Sequence, residues 1–290
     1  MKKFTIYNTR KNKLLEPLEL MYDLEFIKKP SFFKNFLKKD KQKTDIYFYD
    51  SKLEKYNIEL LYNSKLIIVN SQAQKQYLQK KLPTIDQEKI QVIYPYIDQD
   101  IAYNKSIKKE FKNLYIIEKD TKIIFFRSNH LSKNGLKSVF SIVSNLNNRN
   151  FTLVIESTKK EIASLKLQLD IMKINFNIIL IEDYKNKNEL FMISDIFIFP
   201  SSRKFFNTDI LKAGFYKNGI FVSQNNYSSE IVDTFATIEV DDENSTIFKI
   251  DALLSNPSEL KIVKDTNYNQ LLNYSFSNSF ITLKKYILNF

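Results

Sequence analysis

The chain has 290 residues, the length of one or two domains, and its 43% hydrophobic and 14% aromatic content suffices for packed cores, which excludes wholesale disorder. It holds no cysteine, one histidine (His130) and three glycines, which excludes disulfide scaffolds, thiolate and multi-histidine metal sites and glycine-rich phosphate loops. The formal net charge is +11, from 44 basic and 33 acidic residues, and one stretch, Lys28–Lys43, concentrates seven lysines against one aspartate. No apolar run approaches the roughly 18 residues of a membrane span, and the first residues lack the apolar stretch of a signal peptide, so a cytoplasmic protein is expected.

In chain order, short runs rich in Ile, Val and Phe predict strands at Phe4–Tyr7, Asp45–Tyr49, Lys65–Asn70 and Ile90–Tyr94. The alternation then breaks over Tyr94–Thr121, which opens with Pro95, carries Asp98 and Asp100, and holds a short charged helix at Ser106–Tyr115. Strands resume at Lys122–Arg127, Phe151–Glu156, Phe176–Glu182, Asp195–Phe199, Gly219–Ser223 and Ala236–Val240. Between them, Asn134–Asn147 places Leu136, Val139, Phe140, Val143 and Leu146 on one helical face, and Thr158–Ile171 does the same with Ile162, Leu165 and Leu169. Apolar strands linked by helices define the α/β class with parallel sheets. Two doubly wound sheets are expected, in a shorter domain over 1–98 and a larger one over 99–290. Such sheets bind ligands in the crevice outside the carboxyl ends of their strands.

The span Phe191–Asp233 reads FMISDIFIFPSSRKFFNTDILKAGFYKNGIFVSQNNYSSEIVD. It resembles the donor-binding half of the family-4 glycosyltransferases, which have the two-domain GT-B fold. The family's aspartate-led strand ending in Pro-Ser corresponds to Asp195–Ser201, and its Glu-x-Phe-Gly turn to Lys204–Asn207. The helix carrying a second Glu eight residues on, the Gly-led strand and the later Glu correspond to Lys212–Ala213, Gly219–Ser223 and Glu230–Val232. Lys65–Gln72 resembles the family's strand ahead of the interdomain linker, Lys122–Leu136 its basic loop, and Tyr274–Ile287 its closing helix. The resemblance implies Rossmann-like domains facing a cleft, the first one abbreviated, with the last helix packing back toward the N-terminal domain. It also implies transfer of a sugar from a nucleotide-sugar donor to a glycan or lipid-linked acceptor, without a metal or other cofactor.

A departing diphosphate needs cationic side chains and helix N-terminal amides to neutralise it. By the resemblance, Arg127 and Lys133 supply the cations, and the start of a helix over Asn207–Phe215, with Asn207 and Thr208, supplies the amides. Lys204, Phe206, Lys212 and Glu230 line the rest of the donor pocket. Lys204 and Lys212 stand where the family has glutamates, and an ammonium donates hydrogen bonds where a carboxylate accepts them, so the family's sugar and ribose contacts do not carry over. Two readings stand side by side: a pocket retuned for a more anionic ligand, and a non-catalytic scaffold or interaction protein that has lost donor chemistry. No catalytic residue is assigned.

The first domain lacks histidine, and the loop after its first strand, Asn8–Lys13, lacks glycine. Asp45, Asp50 and Ser51 border a strand end, where turn residues are common. His130 is read as an exposed loop residue, with a site-facing role as the alternative. Asp195 and Pro200–Ser201 are read as architectural, shaping the exit from their strand. In Lys28–Lys43, a helix from Ser31 would carry Phe32, Phe33, Phe36 and Leu37 on one stripe and Lys34, Lys38 and Lys41 on another. That pattern suits peripheral contact with an anionic inner membrane face, and equally a helix with its Phe stripe in a core. No nucleic-acid module is present.

Overall fold

A computed structural model describes residues 2–8, 12–27, 43–50, 53–97, 104, 106–172, 174–239 and 243–288. The chain divides into two units, one formed by Met1–Tyr96 with Tyr274–Phe290 and the other by Ile97–Asn273. The first unit holds β1 (Lys3–Tyr7), α1 (Glu16–Met21), β2 (Asp23–Ile27), β3 (Thr44–Phe48), α2 (Lys55–Tyr62), β4 (Ser64–Val69), α3 (Gln72–Lys81) and β5 (Ile90–Val92). The second holds α4 (Ile107–Leu114), β6 (Lys122–Arg127), α5 (Leu136–Ser144), β7 (Phe151–Ser157), α6 (Lys159–Leu169), β8 (Asn177–Glu182), α7 (Lys187–Ile193) and β9 (Ile196–Phe199). It continues with α8 (Asp209–Phe215), β10 (Gly219–Ser223), β11 (Thr237–Ile238), α9 (Glu243–Ser255) and α10 (Pro257–Leu271), after which α11 (Phe276–Leu288) returns to the first unit.

In the first unit the strand order is β2-β1-β3-β4-β5, with every neighbouring pair parallel. Side chains alternate across a strand, and the two faces bury separate cores. Tyr7, Tyr47, Ile67 and Val69 pack on Leu60 and Leu61 of α2 and Leu78 of α3. Phe4, Ile6, Ile46, Leu66 and Ile68 pack on Leu14, Leu15 and Leu18, and on Leu283 and Ile287 of α11. The five residues of β2 were not expected as a strand. Its sequence, DLEFI, alternates acidic and apolar residues and follows the helix EPLELM with only Tyr22 between, so the local pattern reads as one amphipathic segment.

The second unit's sheet runs β11-β10-β9-β6-β7-β8, again parallel throughout. Its central strands carry continuous apolar runs because helices cover both faces; β6, β7, β9 and β10 bury almost every side chain. The chain builds outward from β6 through β7 to β8, then returns to β9 on the other side of β6. That reversal is the switch point at which doubly wound sheets bind ligands, outside the carboxyl ends of the strands. Several expected elements shrink: the strand predicted over Ala236–Val240 forms at Thr237–Ile238, that over Ile90–Tyr94 at Ile90–Val92, the helix over Asn134–Asn147 at Leu136–Ser144, and the helix predicted from Asn207 begins at Asp209. The Lys28–Lys43 stretch up to residue 42, with Ser51, Asp98, Asp100 and Val240, lies outside the described residues. Among the described residues no helix is long and apolar enough to cross a membrane.

Candidate functional site

The carboxyl ends of β6, β7, β9 and β10 lie along one edge of the second sheet, and the loops leaving them are tied to one another. Ser128, just past β6, accepts hydrogen bonds at Oγ from the His130 amide (3.0 Å) and Asn134 Nδ2 (2.7 Å). Its carbonyl accepts from Ser157 Oγ at the end of β7 (2.6 Å). Asn134 Oδ1 in turn accepts from Ser201 Oγ past β9 (3.2 Å) and lies 3.4 Å from Arg203 Nη1. Asn226, past β10, donates through Nδ2 to the Arg203 carbonyl (3.1 Å), and the Tyr227 amide donates to the Phe205 carbonyl (3.0 Å).

Gly135 closes the β6 loop. Its φ of +98° lies in the left-handed region, and a Cβ there would sit 2.9 Å from the Pro200 carbonyl carbon. Both conformation and space therefore demand glycine, which lets the β6 and β9 loops touch.

Arg127 ends β6 opposite Glu156, its register partner on β7. Arg127 Nε donates to Glu156 Oε2 at 2.8 Å, and its Nη1 pairs with Asp209 Oδ2 in the first turn of α8. Burial disfavours the guanidinium's charge, but Asp209 and Glu156 outweigh it, so Arg127 holds its proton more firmly than usual. Lys187 Nζ stands 3.8 Å from Glu156 Oε1 and Lys212 Nζ 3.9 Å from Asp209 Oδ1. The result is a continuous chain of charges, Lys187–Glu156–Arg127–Asp209–Lys212, beneath the loop edge. Asn207 accepts from the Asp209 amide through Oδ1 (3.1 Å), and its buried Nδ2 finds no hydrogen-bond partner. Thr208 is the exposed N-cap residue of α8.

The eight expected site residues thus divide. Arg127, Asn207 and Lys212 join one hydrogen-bonded and charge-paired group around Asp209. Lys133, in the turn at Ser132–Asn134, and Lys204 are exposed beside Asn134 and Arg203, the residues that bond across the loops. Phe206 is buried, and Glu230 is exposed in the turn at Tyr227–Ile231. His130 is exposed.

Glu156, Asp209, Asn134 and Arg203 were not singled out in the sequence. Glu156 had a signal: a carboxylate within the apolar run FTLVIES has to find a cation once buried, and it is 1% exposed.

Asp195 corrects an expectation. It precedes β9, at the opposite edge from the site, where its carboxylate accepts from the Ile123 amide (3.1 Å) and pairs with Lys108 of α4 (2.7 Å) and Lys264 of α10 (2.9 Å). It secures the start of the strand and not its exit. Asp45, likewise, lies near the start of β3, bonded to the Thr5 amide and hydroxyl and to Lys65.

No protein-family model matches the sequence, and no curated protein matches it significantly. Solved structures do match along the whole chain. HepE from Anabaena, crystallised with UDP and glucose, is 10% identical with a TM-score of 0.76, each chain covered completely. WaaG, a glycosyltransferase involved in lipopolysaccharide biosynthesis, is 10% identical with a TM-score of 0.67, covering 96% of this chain and 89% of its own. A glycosyltransferase from Rickettsia africae is 17% identical with a TM-score of 0.68, covering 97% and 88%. At these identities the likeness shows the fold: two parallel-sheet α/β domains in the GT-B arrangement of elements.

Proposed function

We propose that the second unit binds the diphosphate of a nucleotide-sugar at the carboxyl ends of β6 and β9, and that the protein transfers the sugar to a glycan or lipid-linked acceptor without a metal. One observation carries this reading. Lys133, Arg203 and Lys204 lie on loops that Ser128, Asn134 and Ser201 hold together at the switch point, with Arg127 at the end of β6 and Lys212 in α8 paired to Asp209 beside them. Cations fixed in advance stabilise a leaving diphosphate without reorganising during the reaction. Among the fold's neighbours, the glycosyltransferase WaaG and HepE in complex with UDP-glucose support the same reading. In it, Lys133 and Lys204 meet the phosphate and sugar side from the exposed loops, while Arg127 acts from below, oriented by Glu156. Contact of the Lys28–Lys43 stretch with an anionic inner leaflet, bringing the protein to a lipid-linked acceptor, belongs to the proposal on sequence grounds alone.

A second reading, a GT-B scaffold without donor chemistry, is favoured by two specific features. Arg127 already has two carboxylate partners, and lysines occupy both positions where the resembling family has glutamates.

Calorimetric titration with UDP-, GDP-, ADP- and CMP-sugars, with and without a chelator, tests the proposal. Binding of one donor class, unchanged by chelator and weakened about tenfold or more in Lys133→Ala, is expected. Binding without release of nucleoside diphosphate in the presence of extracted glycolipid selects the scaffold; no binding by any nucleotide overturns donor recognition.

A further inference from the structure

The outer edge of the second sheet carries an unprotected strand. β8 pairs with β7 through six consecutive residues, and its other side has no strand neighbour among the described residues. Exposed edges are normally blunted by shortness, charge, proline or bulges. The other edges here follow that rule: β11 has two residues, β5 three, and β2 alternates Asp23 and Glu25 with apolar residues. β8 reads NIILIE, with no lysine or proline, and its pairing is regular. Ile178, Ile179 and Leu180 are only partly buried, whereas their register partners Leu153, Val154 and Ile155 are completely buried. Alongside, Leu167 on α6 and Ile171 and Met172 in the turn leading toward β8 are 70%, 88% and 44% exposed.

We infer that the chain forms a two-fold dimer in which β8 pairs antiparallel with β8 of a second copy, joining the two six-stranded sheets into one. A second copy fits this edge because the edge is self-complementary. Antiparallel pairing about a two-fold axis sets the start of one β8 beside the end of the other. The start is flanked by exposed Arg149, whose guanidinium donates to the Val143 and Ser144 carbonyls at the end of α5 (3.4 and 3.1 Å) and lies 3.5 Å from Asn175 Oδ1, and the end by exposed Glu182. The axis therefore brings opposite charges together twice while Ile178–Leu180 meets its own apolar centre. Leu167, Ile171 and Met172 of both copies supply apolar area that strand pairing alone would not bury. The opposite edge, two residues of β11, offers no equivalent strand, so association closes at two copies and does not propagate into a fibre.

Sedimentation velocity of the full chain from about 1 to about 100 µM is the test. A species of twice the chain mass is expected. Ile171→Lys, Arg149→Glu and Glu182→Arg alter exposed side chains, and each is expected to raise the dissociation constant about tenfold or more, with the melting transition retained in Ile171→Lys and Glu182→Arg and lowered in Arg149→Glu, which gives up its bonds to the Val143 and Ser144 carbonyls. The double variant Arg149→Glu/Glu182→Arg restores the wild-type constant. A monomer over the whole range, or a dimer that all three single variants leave unchanged, overturns the proposal.

Discussion

Arg127 sits between two carboxylates, Glu156 and Asp209, and this decides how the site responds to an anion. A phosphate group has to compete with Asp209, the partner at the head of α8, while Glu156 keeps the guanidinium aimed. Asp209→Asn removes the competitor and leaves the Asn207 contact to the backbone. Calorimetry should then show nucleotide-sugar affinity rising about three- to tenfold, and unaltered or weaker binding would count against Arg127 as a donor contact. Gly135 governs the same loop by shape. Gly135→Ala forces a side chain into the left-handed region and against Pro200, at a cost of about 1–3 kcal/mol measurable by urea unfolding. Among these residues, Arg127 was singled out in the sequence, from the basic loop it shares with Lys133, whereas Gly135 was not. Asp209 was not, because an acidic residue early in a helix is ordinary dipole chemistry, and its pairing with a residue 82 positions away is invisible locally.

At the scale of elements, the amino edge of the second sheet is fastened by Asp195. Burial disfavours its charge, but Lys108 and Lys264 outweigh that and hold its carboxyl well below the usual carboxylate range. Burial pulls the Lys108 ammonium down to about 8 despite its partner. A depressed carboxylate pKa contributes stability that is complete above the unfolded value, near pH 4, and drains away as pH falls toward the folded one. Asp195→Asn strands two lysines against α4 and α10, and should cost about 3–5 kcal/mol at neutral pH. In urea melts between pH 5 and pH 3, the wild type should lose stability more steeply than the variant; parallel slopes would refute the linkage. The elements themselves were read well where they are buried on both faces, as in β6, β7 and β10. The expectation missed β2 and overran β11, edge strands with only one flank paired and part of each strand meeting solvent.

For the whole molecule, α11 is the consequential piece, since it is last in sequence yet completes a core of the first unit. Leu283 is fully buried against that sheet. Leu283→Ala should destabilise the first unit by about 2–5 kcal/mol. Hydrogen exchange should then show protection falling in β1, β3 and β4 while β6, β7 and β9 keep theirs; equal loss in both units would mean they unfold as one.

Alternating apolar runs and helical periods were enough to determine a parallel α/β chain in two parts, because burial on two faces leaves its mark in every successive residue. The order of resembling motifs from Lys65 to Ile287 was enough to suggest the GT-B fold. Which charges meet was decided only by tertiary structure. Register sets Arg127 beside Glu156, and loop closure around Gly135 and Pro200 brings the Asn134 turn to Ser201 and Arg203. Pairing energies of this kind depend on distance in space, which a chain of independent local preferences does not encode.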